Sequence, residues 1–222
     1  MPHTNAPVRV AGTWLAIASS MLIPAVILHG PLAADMGDQM QMISGGATQW
    51  TVVHWLSAAA LSLYAVAGLI MLSSASHLTR GWWTMTAWAV LIVSALWTMT
   101  TAVVEATVIT RAAVSGAREM FEAWWGFAEG KASGIAFLSL AVAVIAGNEA
   151  RSPERAVPAW SAWIGMATGI AAFTGWALGR WLGVELGNFL WFVSLVLTSV
   201  WTLWFGLALM RSRVNADTAT RV

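Results

Sequence analysis

With eleven Lys and Arg, ten Asp and Glu and four His among 222 residues, the side chains able to carry a proton or hold a ligand can be followed one at a time. His29, His54, Glu105, Glu122, Glu129, Arg180, Glu185 and Asn188 each stand at the margin of a strongly apolar stretch. An imidazole exchanges protons near neutral pH and ligates metals or haem iron. A carboxylate carried to membrane depth costs free energy, so it faces protein or water and commonly has a task there. By depth and surroundings the candidate ligand or proton-handling residues rank Glu105, His54, Glu129, Glu122, His29. A softer set follows the first apolar stretch, where Met36, Met40 and Met42 offer thioethers of the kind that favour Cu(I).

Much chemistry is excluded. Cysteine is absent, so there are no disulfides, thiolate metal sites or thiol nucleophiles. Glu-x-x-His and His-Glu-x-x-His, the local signatures of di-iron and zinc helices, do not occur, nor does any phosphate-binding glycine loop. No motif fixes a catalytic nucleophile, and a role other than catalysis is favoured. The formal net charge of +1 argues against nucleic acid, which requires a clustered basic face.

The elements that must position these residues are helices in lipid. The chain is 59% apolar and 9% charged, too little charge to cover a soluble domain. Six stretches approach the roughly 20 apolar residues that span a bilayer: residues 11–28, 51–73, 83–104, 132–146, 160–179 and 189–210. The third is expected to run on to Ile109, carrying Glu105 into the membrane, and the fourth to extend backwards through residues 124–130. The fold expected is an all-α bundle of six transmembrane helices over residues 1–210, with a short polar tail at 211–222. The first stretch reads as a retained helix rather than a cleaved signal peptide, since its apolar run is long and Leu32-Ala33-Ala34 is a poor cleavage site.

Basic residues orient the bundle. Arg9, Arg80, Arg151, Arg155, Arg211, Arg213 and Arg221 fall on one side, Arg111, Arg118, Lys131 and Arg180 on the other. Seven against four places both termini in the cytoplasm, and a bacterial inner membrane is the expected location. Of the sixteen Trp, Trp14, Trp50, Trp55, Trp82, Trp83, Trp124, Trp125, Trp160, Trp163, Trp181 and Trp191 fall near helix ends, as an interfacial belt requires.

Helical spacing indicates which faces turn inward. His54 shares a stripe with Ser57, Ala58, Leu61, Ala65 and Gly68, and Glu105 continues Ser94, Thr98 and Thr101. Glu122, Gly126, Glu129, Ser133 and Ala136 align in the same way, as do Asn188, Leu195, Ser199, Thr202 and Gly206. Gly165, Gly169, Gly175 and Gly179 form a ridge for close helix packing, chiefly within the bundle and alternatively between two copies. Pro24 frees the Ser20 carbonyl inside the first helix, and Ser19 or Ser20 is positioned to answer it.

The candidate residues all fall at the extracytoplasmic end. The expectation is a ligand, cofactor or proton-handling site there, with haem or quinone as possible cofactors and copper less favoured. Haem would need His29 and His54 as its axial pair, although His29 lies close to water. The alternatives are a small proton-coupled transporter or permease, or a membrane subunit or scaffold whose chemistry belongs to a larger complex.

Overall fold

A computed structural model describes residues 6–30, 32–33, 35–74 and 76–211, leaving aside the side chain of Lys131. Pro31, Ala34, the tail at 212–222 and the arginines within it lie outside the described residues. Among those described there is no strand, and six helices are long and apolar enough to cross a membrane. The chain is a multi-pass membrane protein of all-α class.

The first span is α1 (Ala6–His29), followed by a short helix α2 (Met36–Gly45) and the second span α3 (Ala47–Leu72). The third, α4 (Trp82–Val104), passes through a π-helical turn (Glu105–Ile109) into α5 (Thr110–Ser115). After a turn at Gly116, whose φ of 70° suits glycine, α6 (Arg118–Ala132) leads through Ser133 into α7 (Gly134–Arg151). Then come α8 (Ala159–Trp176), a second π turn (Ala177–Trp181) and α9 (Glu185–Arg211). The third and fourth spans thus extend further than their apolar cores. Each covers 34 residues, or about 51 Å at the helical rise, well beyond a hydrocarbon core of about 30 Å.

The helices close a ring in which each packs on its chain neighbours: α1, α3, α4, α7, α8, α9 and back to α1. Small residues draw the backbones together. At Gly12 a Cβ would lie 2.8 Å from the Gly206 carbonyl, so α1 and α9 touch through glycine on both sides. The Gly165–Gly179 ridge is likewise filled from inside the chain: Gly165 receives Trp201, Gly169 the Ser139 carbonyl of α7, and Gly175 and Gly179 the start of α9 around Gly187. All four glycines are buried, which leaves this ridge no surface for a second copy. Bundle packing is its use.

The half of the ring nearest the start of α1 and the end of α9 is solid. Trp88, Tyr64, Leu91, Met71 and Phe205 fill it, and the Tyr64 hydroxyl shares a 2.7 Å hydrogen bond with Ser19. α1 continues through Pro24 without interruption. The two serines expected to answer the proline bond elsewhere, Ser19 to the Leu15 carbonyl and Ser20 to that of Ile17. At the opposite, distal end the overhanging parts of the long spans meet α2 in a second apolar cluster of Ile43, Trp50, Ile109, Phe121 and Trp125. This cap was not evident from the apolar windows, because its members are spread over short amphipathic segments.

The tryptophans divide accordingly. Trp82, Trp83, Trp160 and Trp163 at one end and Trp55, Trp124 and Trp181 at the other are exposed, as a belt should be. Trp50 and Trp125 depart from the belt and turn into the protein, since both lie on helix faces covered by the cap.

Candidate functional site

Between the solid half and the cap the ring opens into a chamber of about 120 Å³. Every span contributes to its wall, including Leu22 and His29 from α1, His54 and Leu61 from α3, and Glu105 at the first π turn. Trp176, Arg180 at the second π turn, and Leu195 complete the far side. A wider vestibule of about 960 Å³ adjoins it at the distal end, lined by Asp35, Gln39, Glu185 and Asn188 among others. Trp125, Glu129, Arg180, Trp191 and Phe192 border both spaces.

His29, His54 and Glu105 gather on one wall of the chamber. His54 and Glu105 are 5% and 8% exposed, and His54 Nε2 stands 2.7 Å from Glu105 Oε2. The other ring nitrogen, Nδ1, is 2.7 Å from the Trp50 carbonyl one turn earlier. His29, half-buried at the end of α1, sets its Nδ1 2.8 Å from the Gly30 carbonyl. The two imidazoles meet edge-on with ring centres 5.1 Å apart, and the Trp50 indole lies against both, at 4.8 and 4.5 Å. One ligand atom from each of His29, His54 and Glu105 lies within 4.8 Å of the others.

Both π turns fall at this site. Such wide turns are rare and concentrate where helices serve a function. In the first, the Thr110 hydroxyl donates 2.7 Å to the Glu105 carbonyl. In the second, the Leu182 N–H reaches back five residues to the Ala177 carbonyl, and Arg180 in this turn pairs with Glu129 across the boundary between chamber and vestibule.

The five candidates therefore separate. His29, His54 and Glu105 converge, and Glu129 joins at the chamber mouth through Arg180. Glu122 does not join them: it is exposed and bonded to Arg118 four residues before it, at 2.7 Å. Glu122 and Gly126 of that stripe face away from the bundle, because Phe121, Trp125 and Ala128 of α6 bury the neighbouring face, and Glu129 sits at the edge where it reaches the chamber mouth. The stripes through His54 and Glu105 do face inward.

Two cofactor expectations can be set against these distances. An iron held between two imidazoles separates their ring centres by about 6 Å, given metal–nitrogen bonds of about 2 Å, with the macrocycle lying between them. Here the rings are in contact and Trp50 packs on both, so the residues do not fit a bis-histidine haem. Nor are the thioethers gathered for copper. Met36 and Met40 pack against the cap, whereas Met42 is exposed.

Sequence reasoning missed two features. Trp50 read as an interfacial anchor, although its spacing of four from His54 already placed both on one face. At the other end of the bundle, Glu149 is fully buried. It accepts His77 Nε2 at 2.9 Å and the N–H groups of Ala156 and Val157. This pairing ties the two loops there together, and Glu154, Arg80 and His77 extend it to the surface. In sequence Glu149 adjoins Arg151 and Pro153 and resembles ordinary loop charge.

A comparison of the chain with protein-family models, with curated proteins and with solved structures finds no match.

Proposed function

We propose that the chamber binds a small, ring-sized molecule with an apolar body and an oxygen-bearing edge, a quinone headgroup being the class that matches, and that His54 and Glu105 form its proton-exchanging anchor. The observation that carries this reading is a mostly apolar chamber with a buried imidazole–carboxylate pair on one wall and the Arg180–Glu129 pair at its mouth. Binding sites for small organic ligands are built this way, with few polar groups placed to orient a mostly apolar occupant. The volume suits one ring, since a cavity of about 150 Å³ takes up benzene. A tail would leave through the vestibule. By the distribution of basic residues, the vestibule opens to the extracytoplasmic side of a bacterial inner membrane.

Trp125, Trp176 and Trp191 line the chamber, so occupancy is readable by fluorescence. Titration of the detergent-solubilised protein with a short-chain ubiquinone analogue should quench tryptophan emission saturably. A hydrogen bond to a charged group contributes about 1.5–3 kcal/mol, so Glu105→Gln should weaken binding about tenfold or more. Ala102→Leu, which fills the chamber, should abolish it. Non-saturable quenching, or equal quenching in the filled variant, would refute the proposal.

One observation favours a second reading. Chamber and vestibule lie in series with the Arg180–Glu129 pair between them, as in a permease open to one side. Proton-coupled uptake into proteoliposomes, lost in Glu105→Gln, would support transport instead.

A further inference from the structure

The charged wall of the chamber has a geometry that an ion pair alone does not explain. Glu105 Oε2 is at hydrogen-bonding distance from His54 Nε2, yet it is a buried atom without a hydrogen-bond partner. The contact has the length of a hydrogen bond but not its direction. A buried carboxylate oxygen left unpartnered is costly, and more so within a membrane.

We propose that His29, His54 and Glu105 hold one divalent first-row metal ion, zinc being the best match, with an open coordination position facing the chamber.

Four features converge on this. The donors are two imidazoles and one carboxylate from three different helices, with ligand atoms within 4.8 Å of one another. Two histidines and one carboxylate form a recurrent site for zinc or non-haem iron that leaves positions open. Both imidazoles place Nδ1 against a backbone carbonyl, Trp50 for His54 and Gly30 for His29. That arrangement fixes the tautomer and leaves Nε2 as the ligating nitrogen, as the outer partners of metal-bound histidine do. Donor atoms whose lone pairs point at a common centre, rather than at each other, would also leave Glu105 Oε2 close to Nε2 but off the N–H axis. Finally, a dication offsets the buried carboxylate that the bilayer otherwise penalises.

Tetrahedral bonds of about 2.0–2.1 Å place donors about 3.4 Å apart, so the 2.7 Å His54–Glu105 contact must open by about 0.7 Å and the widest separation must contract by a little over 1 Å. His29 can supply the contraction. It is the last residue of α1 and is followed by Gly30 at φ 68°, so its ring is the least constrained of the three. Nitrogen and oxygen donors select zinc, iron or manganese over Cu(I). Sequence patterns for metal helices do not detect the set because no two ligands share a helix.

This inference rests on the chamber reading and makes it more specific: the metal held by His54 and Glu105 would replace their direct proton exchange as the anchor, and the oxygen of the bound molecule would meet it at its open position. The test uses full-length protein without a polyhistidine tag, stripped with chelator and then equilibrated with Zn²⁺ in the absence of any quinone. Metal content is read by elemental analysis, and Co²⁺ substitution by visible absorption. The expected result is about one zinc per chain and a Co²⁺ spectrum of low-symmetry, four- or five-coordinate type. Affinity should fall at least tenfold in His54→Ala and Glu105→Ala and be unchanged in Glu122→Gln, an exposed carboxylate at the same end. Should the buried variants fail to fold, His29→Gln at the half-buried helix end decides the matter, with the same loss expected. Trace occupancy in the native protein, or full occupancy in His29→Gln, overturns the proposal. Zinc absent with saturable quinone quenching intact removes only the metal, and the converse removes only the chamber ligand.

Discussion

Glu149 shows how much a single carboxylate contributes here. It has no exposed surface and gathers His77 and two backbone N–H groups from the loop that follows α7. Removing one partner of a buried pair costs about 3–5 kcal/mol, because the others are left desolvated. Glu149→Ala should therefore lower the denaturation midpoint strongly, whereas Glu154→Ala, whose side chain is about half exposed, should cost under about 1 kcal/mol. Equal midpoints for the two variants would contradict this assignment. His54 and Glu105 were legible in sequence because each continues a stripe of small or hydroxylated residues, and that stripe faces inward. Glu149 was not, since its partners are backbone N–H groups across a loop and one histidine 72 residues away. Glu122 shows the opposite error. A periodic stripe identifies a face but not which side of the helix it is, and in α6 larger apolar residues take the inner side.

At the scale of elements, glycine decides how closely helices pack. A Cβ at Gly187 would lie 2.8 Å from the Gly175 carbonyl and closer still to the Gly179 backbone, so nothing flexible can yield. Gly187→Ala should destabilise by about 1–3 kcal/mol, the usual cost of overpacking. Gly126 in α6 has open space where a Cβ would stand. There, Gly126→Ala should be neutral or stabilise by up to about 1 kcal/mol through helix propensity. Paired thermal unfolding of the two variants in one detergent distinguishes them, and a destabilised Gly126→Ala would show that α6 packs against something further. The six spans were readable from hydropathy, and the overrun of α4 past Glu105 from its stripe. The π turns were not readable: a one-residue widening leaves the apolar pattern almost unchanged while re-aiming Glu105 and Arg180 into the chamber.

For the whole molecule, the absence of cysteine makes orientation directly testable. Ala117→Cys, in the turn between α5 and α6, should react with a membrane-impermeant maleimide on intact cells. Ser152→Cys, in the loop after α7, should react only after permeabilisation. The reverse pattern would invert the proposed topology and place the vestibule in the cytoplasm. The ring was not legible in sequence, because hydropathy counts spans without saying which of them touch, and its closure depends on two glycines, Gly12 and Gly206, 194 positions apart. That closure bears on biogenesis. α1 and α9 are the first and last of the six helices to leave the ribosome, so α1 must wait in the bilayer, its glycine face unmatched, until the final helix is inserted. His29 and His54 can meet as soon as α3 is in place, but Trp191, Phe192 and Leu195 reach the chamber only with α9. Until then its apolar wall is open to lipid, and a chain arrested before α9 carries the polar triad without the enclosure that makes it a site.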